Sequence, residues 1–333
     1  MTADTLATMA RSLAPAPADV AARVTGCSAS ELGAALAEVG FDRAARDEVA
    51  AEWDGVRRDD RLAAVLARVV ASVEAARGAP ATPLFIWPDL DEAGPAGRLF
   101  YLYVIALCAP GARRYLTSVG VPDDVVDTTF ASFVHHAAIH RRKWGTNGVD
   151  AGWWQLLALR GELLEIGRLQ YHYLVTGVST LSPVPWYDEE QAAARGAGFR
   201  RGDVQFGLHI PEGPGFDPAT IDDSLSRARA VLGAVWPSDR RRLASCMSWL
   251  LDDALGHYLP ATSNILAFQR RFTMVPGGYD DDADTLEFVF RRPGVALEEL
   301  PQRTTLERAI VARLREGGHW RARTGWFDFD AAT

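Results

Sequence analysis

The spacing of apolar residues divides the chain into a helical first part and a second part in which strands and helices alternate. Up to about residue 150, apolar side chains recur every three or four positions, as they do in amphipathic helices. From about Gly152 onward, shorter apolar runs of strand length appear between helical segments. We therefore predict a helical N-terminal domain over residues 1–150 and a second domain over residues 151–333.

Two helix starts in the first part carry clear local signals. Ser28 followed by Glu31 fits a capping box, in which each side chain satisfies a backbone amide of the other residue. Asp60 precedes an apolar stripe that predicts a helix ending near Gly78. The stripe consists of Leu62, Val65, Leu66, Val69, Val70 and Val73.

Other segments of the first part are predicted from composition and from proline. Residues 1–18 are rich in Ala and Pro, and we expect them to be poorly ordered. Residues 80–94 contain several prolines and are predicted to form a loop. The apolar segment 99–108 predicts a buried helix that stops at the following Ala-Pro-Gly sequence, residues 109–111.

The second part is predicted to form a mixed sheet flanked by helices, which makes the whole chain an α+β (mixed α/β) protein. The predicted strands are 162–175, 204–210, 243–251, 286–290 and 320–329. Helices are predicted over 218–236, from residue 263 and over 304–315, and a loop over 182–203.

Composition and charge narrow the function classes. The net charge of −8 argues against nucleic acid or an anionic membrane as the main partner. The sequence contains no run of about 18 apolar residues, so it predicts no membrane span. The cysteines Cys27, Cys108 and Cys246 are too few and too widely spaced for a disulfide framework or a zinc site. Together with an N-terminus that lacks signal-peptide features, this predicts a cytoplasmic protein.

A metal site is not predicted. His136 and His140 are four residues apart on one predicted helix, which is the spacing of a helical metal-ligand pair. A metal site would need a third ligand and a nearby acid, and no HExxH-type glutamate accompanies the two histidines. We therefore interpret both histidines as parts of an ordinary helix face.

Residues 243–272 have the layout of an α/β site. An apolar run of strand length ends in Asp252 and Asp253, and Ser263-Asn264 then opens an amphipathic helix. A buried strand followed by a polar loop and a helix N-terminus is a common way to build a site in α/β enzymes. This stretch is predicted to be one wall of a cleft.

Five collinear segments carry a resemblance to a known family. They are Leu-Glu-Ile-Gly-Arg-Leu-Gln-Tyr (164–171), Leu-His-Ile-Pro-Glu-Gly (208–213), Cys-Met-Ser-Trp-Leu-Leu-Asp (246–252), Ser-Asn-Ile-Leu-Ala-Phe-Gln (263–269), and Leu-Pro (300–301) with 304–309. The chain resembles bacterial N-acyltransferases that have a helical N-terminal domain and a GNAT-like C-terminal domain. This resemblance implies transfer of an acyl group from acyl-CoA to the amine of a small molecule, in secondary metabolism.

The chain departs from the GNAT pattern where the CoA diphosphate should bind. GNAT enzymes carry Arg/Gln-x-x-Gly-x-Gly/Ala between a strand and a helix, so that backbone N–H groups hold the diphosphate. Here the loop 211–218 offers Gly213 and Gly215, but Pro214 lacks an N–H and Glu212 and Asp217 repel phosphate. An acyl carrier protein is therefore the alternative donor.

Acyl transfer needs a base, donors for the oxyanion and an acid for the leaving thiolate. His209 or Glu212 is predicted as the base, because both lie at the end of a strand and histidine titrates near neutrality. Ser248 and Tyr258 are both candidates for the acid. Asp252 is predicted to orient His209 or bind the amine, with a capping role as the alternative.

The remaining candidates are predicted to bind substrate or donor. Arg168 and Gln170 are polar residues that we expect on one strand face, where they could contact an anionic group. Asn264 and Gln269 are candidates for hydrogen bonds to substrate, and Ser263 for these or a helix cap. The other binding candidates are Gly213, Gly215 and Trp249.

Two alternatives to the acyltransferase prediction remain open. The first is a non-catalytic ligand-binding module that keeps the GNAT-like fold. The second is a transferase or hydrolase that uses Cys246 as a covalent nucleophile, which would require a base beside the thiol. A free cysteine in an apolar strand is more often a small buried hydrophobic residue.

Overall fold

The computed structural model describes residues 2–79, 90, 94–179, 200–238, 240–292 and 294–331. Most of the predicted loops 80–94 and 182–203 lies outside these residues. The chain forms two compact units, residues 1–165 and 166–333, and the boundary falls inside the first β-strand. No helix within the described ranges combines the length and the apolar character needed to cross a bilayer.

The first unit is built from α-helices. They are α1 (Thr2–Ser12), α2 (Ala18–Gly26), α3 (Ala29–Val39), α4 (Arg43–Arg58), α5 (Asp60–Ala75), α6 (Gly94–Arg98), α7 (Phe100–Ser118), α8 (Asp123–Trp144) and α9 (Gly152–Leu159).

The two predicted helix starts are confirmed. The Ser28 hydroxyl accepts from the Glu31 N–H at 3.2 Å, and the Glu31 carboxylate accepts from the Ser28 N–H at 2.7 Å. At the start of α5, the Asp59 carboxylate accepts from the N–H groups of Arg61 and Leu62. The whole apolar stripe of α5 is buried, as its 3–4 spacing predicted.

Two predictions for the first unit are wrong. Thr2–Ser12, predicted to be poorly ordered, form α1, whose Met9 is fully buried. The buried helix does not stop at residues 109–111, because α7 continues through Pro110 to Ser118. Arg77 lies against Gly111 and donates to the Cys108 carbonyl at 3.1 Å, so a side chain supplies the helix with a donor near the proline.

The histidines of α8 hold the loop that follows this helix. Nδ1 of His136 donates to the Asp150 carbonyl at 3.0 Å, and Nδ1 of His140 donates to the Thr146 carbonyl at 3.2 Å. Among the described residues, no group of three His, Cys, Asp or Glu side chains could hold a metal ion.

From residue 163 onward the chain contains a mixed β-sheet and further helices. The strands are β1 (Leu163–Ile166), β2 (Leu169–Val175), β3 (Val204–His209), β4 (Arg242–Ser248), β5 (Thr273–Met274), β6 (Tyr279–Asp280) and β7 (Arg321–Asp328). The helices are α10 (Pro218–Val235), α11 (Asn264–Gln269), α12 (Asp282–Phe290) and α13 (Thr305–Arg315). The strand order is β1-β2-β3-β4-β7-β5, with β6 on β7. Strands β3 and β4 are parallel, whereas β2–β3 and β4–β7 are antiparallel.

Two strand predictions for the second unit are wrong. The predicted strand 162–175 is a hairpin that turns at Gly167 and Arg168, so Arg168 does not share a strand face with Gln170. Gly167 has φ 65°, a left-handed value that glycine adopts readily. The predicted strand 286–290 belongs to helix α12, whose first turn carries Asp282 and Asp284, where acids suit the helix dipole.

Two apolar clusters stabilise this unit. One joins the sheet to Trp236 at the end of α10 through aromatic contacts, with Tyr173 stacked on Trp236 at 4.6 Å and Phe206 4.6 Å from Phe329. The other gathers Trp249, Trp320 and Ile310 with the apolar face of α12, including Phe290. The second cluster explains why 286–290 is helical, since a 3–4 spacing presents several apolar side chains to α13.

Candidate active site

A gap opens in the middle of the sheet between the ends of β3 and β4. The parallel ladder joins these strands from Val204–Arg242 to Gly207–Ser245 and then stops. Strand β3 continues to His209, paired with β2, and β4 continues to Ser248, paired with β7. The last residues of β3 pair with β2 and those of β4 pair with β7, and they do not pair with each other. Backbone groups that face this gap do not bond from one strand to the other, and a ligand placed between the strands could bond to them.

Side chains alternate across the two faces at the gap. His209 and Met247 lie on one face, together with Gly207 and Ser245, because residues two apart in a strand share a face. Leu208, Cys246 and Ser248 lie on the other face. His209 and Ser248 therefore reach the gap from opposite faces of the sheet.

His209 sits at the mouth of the gap. Its side chain is partly buried, its ring lies 5.9 Å from the ring of His172, and its Nε2 is enclosed by protein. Burial lowers the pKa of His209 from its ordinary value of 6.5 to about 4. The ring is therefore neutral at neutral pH, which is the form that can accept a proton, and the lowered pKa makes it a weaker base than an ordinary histidine.

A row of buried polar side chains leads to His209 on the same face. Gln170 is its register partner on β2, and His172 is the partner of Gly207. Farther along, the Ser245 hydroxyl donates to Oε1 of Gln205 at 3.3 Å, and Nε2 of Gln205 donates to the Thr176 hydroxyl at 2.7 Å. Polar groups are costly to bury unless they are bonded, and Ser245, Gln205 and Thr176 meet this requirement by bonding to one another.

The loop after β3, residues 210–217, is held by two arginines. Arg168, in the β1–β2 turn, donates to the Gly213 carbonyl at 3.1 Å and lies 5.6 Å from the ring centre of Phe216. Nε of Arg291 lies 3.5 Å from the Glu212 carboxylate. The structure thus brings Arg168, Glu212 and Gly213 together, although Arg168 reaches them from a turn and not from a strand face.

This loop is poor in backbone donors. Pro211 and Pro214 have no N–H, and neither has Pro218, which begins α10. The Asp217 carboxylate already caps α10 by accepting from the Thr220 N–H at 3.1 Å. Gly213 and Gly215 have positive φ values of 151° and 80° and shape the turn. A diphosphate here would need side-chain cations in addition to N–H groups.

Asp252 and Gln269 form a rigid junction after β4. Asp252 is buried, and its two carboxylate oxygens accept from the N–H groups of Ala254 (3.0 Å) and Arg321 (2.9 Å). Burial raises the pKa of Asp252. Nε2 of Gln269 donates to the carbonyls of Leu250 (2.8 Å) and Asp252 (2.9 Å). These bonds give both residues a structural role.

The other predicted site residues are spread around this junction. The Ser248 hydroxyl accepts from the Leu250 N–H at 3.1 Å, and that of Ser263 accepts from the Ile265 N–H at 3.3 Å, so both are caps. Asn264 is exposed at the start of α11. Trp249 is buried in the cluster around Trp320. Of these residues, Ser248 alone ends one of the two strands that border the gap.

Cys246 is fully enclosed in the sheet. It is 2% exposed, and burial raises the pKa of its thiol to about 12. Nucleophilic cysteines act as thiolates, which require a lowered pKa. The cysteine-dependent alternative therefore lacks the electrostatics it needs.

Two residues at the gap were missed in the sequence prediction. His172 carried a signal, because it alternates with Gln170 in an otherwise apolar strand. Met247 carried none, since a methionine within an apolar run looks like a core residue. The end of the ladder between β3 and β4 and the exposure of its side chain show that it faces an opening.

Comparisons with known proteins cover nearly all of the chain. Residues 30–161 match the model of an N-acyltransferase N-terminal domain, and residues 163–327 match that of a GNAT-like C-terminal domain. A search of curated proteins finds no match.

Several solved structures are similar over the same span. An acyltransferase in complex with decanoyl-CoA is 34% identical, with a TM-score of 0.74, and the match covers 88% of this chain and 86% of that one. An acyltransferase in complex with CoA and 10C-teicoplanin is 32% identical with a TM-score of 0.75, at the same coverage. An acyltransferase in complex with decanoyl-CoA and teicoplanin is 33% identical with a TM-score of 0.74, again at that coverage.

Proposed function

Because this chain belongs to the family of acyltransferases that join an N-acyltransferase N-terminal domain to a GNAT-like C-terminal domain, we propose that it acylates an amine of a small molecule, using acyl-CoA as the donor. The gap between β3 and β4 is the observation that carries this proposal, because the ladder between these parallel strands ends beside His209 and leaves space for a ligand between them. Similar acyltransferases bind decanoyl-CoA and teicoplanin, which supports a long-chain donor and a natural-product acceptor. Such a reaction belongs to secondary metabolism and takes place in the cytoplasm.

The thioester would lie in the gap, with its carbonyl against backbone N–H groups of the β4 end. These donors stabilise the oxyanion of the tetrahedral intermediate. The amine nitrogen forms a bond to the carbonyl carbon, and the carbon–sulfur bond then breaks. Preorganised strands supply this geometry at little cost, since each strand is fixed by its outer neighbour.

His209 takes the proton of the attacking amine. It is neutral, it ends the strand that borders the gap, and it adjoins a bonded polar row. Glu212 is the less suitable base, because it lies in the following loop and pairs with Arg291. Asp252 is engaged by two backbone N–H groups, so we assign it to positioning the end of β4.

Ser248 donates a proton to the leaving thiolate, and solvent returns a proton from His209 to the serine. The Ser248 hydroxyl accepts one bond from Leu250 and keeps its own hydrogen available. Tyr258 is the weaker candidate for this step, because its hydroxyl donates to Glu316 at 2.6 Å.

Arg168 binds the diphosphate of the donor. Its guanidinium lies at the loop that occupies the place of the GNAT phosphate loop, where prolines have removed N–H donors. An arginine fork suits phosphate oxygens and compensates for the acids Glu212 and Asp217.

Binding and turnover of the purified protein test this proposal. We expect decanoyl-CoA and CoA to raise the thermal midpoint, and teicoplanin to gain the mass of one acyl group when both substrates are present. Replacing His209 by Ala should lower kcat by about 10²–10⁴-fold, whereas Glu212→Gln should cost less than about tenfold. Absence of stabilisation by every thioester and by CoA would overturn the assignment of the donor.

A further inference from the structure

Met247 is an unusual residue for the interior of a sheet. It lies on β4, which is bordered by β3 and β7, yet its side chain is 49% exposed. Ser245, two residues earlier on the same face, is fully buried. The cover on this face of the sheet therefore ends between these two residues, and an opening begins at Met247.

The strand register places Met247 directly across the gap from His209. Gly207 and Ser245 are the last paired residues of β3 and β4, and His209 and Met247 each follow two positions later. Both side chains therefore point to the same face, one from each edge of the gap. A thioester carbonyl positioned for an amine near His209 would have its acyl chain pass beside Met247.

The chemistry of methionine suits such a neighbour. Its side chain is apolar and unbranched, with several rotatable bonds, so it adapts to a linear hydrocarbon chain. On the β7 side, its register partner is Thr324, which is only partly buried and leaves room for a ligand. Burial of each methylene group of an acyl chain is worth roughly a four-fold gain in affinity.

We propose that Met247 contacts the acyl chain of the donor and determines which chain lengths the enzyme accepts. This inference rests on the proposed function, because it assumes an acyl thioester in the gap. In this role, Met247 favours donors that carry linear saturated acyl groups longer than acetyl. Met247 acts on selectivity and not on the chemical step.

The test is the ratio of kcat/KM for decanoyl-CoA to kcat/KM for acetyl-CoA. Met247→Gln has almost the same length but carries a polar amide, and we expect it to lower this ratio at least tenfold. Met247→Leu keeps an apolar side chain of similar volume, and should leave the ratio within threefold of the wild-type value. Because Met247 is half exposed, both variants should fold, which their thermal midpoints will show.

Binding gives a second readout that does not depend on turnover. A thioether analogue of decanoyl-CoA, which cannot transfer its chain, should bind the wild-type protein more tightly than CoA does. Met247→Gln should reduce this difference in affinity at least tenfold. Tyr279→Gln is the control, since Tyr279 is a large side chain with a similar exposure of 52% on β6, and it should change neither ratio.

The outcomes separate this inference from the proposed function. If the wild-type protein binds neither thioester nor CoA, both are overturned. If it binds and transfers acyl groups, but Met247→Gln leaves both ratios within twofold, only the role of Met247 is overturned. An equal loss of kcat/KM for acetyl-CoA and decanoyl-CoA would also overturn it, because a chain-length residue must distinguish the two donors.

Discussion

His209 and Met247 occupy matching register positions on two parallel strands whose ladder ends two residues before either of them. Strand β3 keeps its pairing with β2 through His209, and β4 keeps its pairing with β7 through Ser248. The opening is therefore a consequence of strand pairing and does not require a flexible loop. A gap of this kind is fixed before a ligand arrives, which is what preorganisation requires.

The protonation of His209 should be unusual and measurable. Its pKa is about 4, well below the ordinary 6.5, because burial disfavours the charged ring. NMR of imidazole-labelled protein should therefore show a histidine that stays neutral down to about pH 4. The exposed His319 is an internal control, since its hydrogen bond with Asp282 raises its pKa and it should titrate above 6.5.

The same shift predicts how stability depends on pH. Between pH 6.5 and pH 4 the unfolded chain binds a proton at His209 that the folded protein does not, so stability is lost as pH falls through this range. Urea unfolding at several pH values should show a steeper dependence for the wild-type protein than for His209→Gln. An equal slope in both proteins would show that His209 does not have the lowered pKa.

Cys246→Ala should retain acyl transfer. The thiol has a pKa of about 12 and is buried, so it supplies no thiolate at neutral pH. We expect kcat within about threefold of the wild-type value and a stability loss of about 1 kcal/mol from the small cavity. Iodoacetamide should leave Cys246 unmodified in the folded protein, as peptide mass spectrometry can check. Loss of turnover in a folded Cys246→Ala protein would restore covalent catalysis as a hypothesis.

Much of the fold could be predicted because its signals are local. The capping box of Ser28 and Glu31 and the apolar stripe of α5 each lie within a few turns of one helix. The strand prediction for 286–290 failed because five residues are too short for periodicity to separate strand from helix. The turn at Gly167 was hidden in a continuous run of apolar and polar residues. A Cβ at this position would lie 3.1 Å from Ser224, which is distant in sequence, so this reason for a glycine could not be predicted either.

The site could be predicted only in part, because hydrogen bonds between segments distant in sequence determine the role of each of its residues. Sequence alone could place His209 and Glu212 near the end of a strand. It could not show that both oxygens of Asp252 are engaged, since one of the donors, Arg321, lies far away in sequence. The end of the β3–β4 ladder depends on pairing to β2 and β7, which no local pattern encodes.

Gln269→Leu should destabilise the protein without displacing His209, the proposed base. Its Nε2 group ties α11 to the carbonyls of Leu250 and Asp252, and the substitution removes this donor from both, although the Asp252 carbonyl keeps its bond from the Leu255 N–H. We expect a loss of about 1–3 kcal/mol in the free energy of unfolding, measured by urea denaturation. Asn264→Leu, an exposed change on the same helix, is the control and should cost less than about 0.5 kcal/mol. Equal effects of the two variants would contradict the anchoring role of Gln269.

Arg168→Ala should weaken binding of the donor in a way that depends on its diphosphate. If the guanidinium contacts phosphate, KM for decanoyl-CoA should rise about tenfold or more, since hydrogen bonds to charged groups are worth about 1.5–3 kcal/mol. KM for a decanoyl thioester of pantetheine, which lacks the diphosphate, should be unchanged. Arg270→Ala removes an exposed arginine from the helix end near Gln269 and should change neither value. An equal rise with both donors would mean that Arg168 acts by holding the loop through the Gly213 carbonyl, and the phosphate contact would then belong to another group.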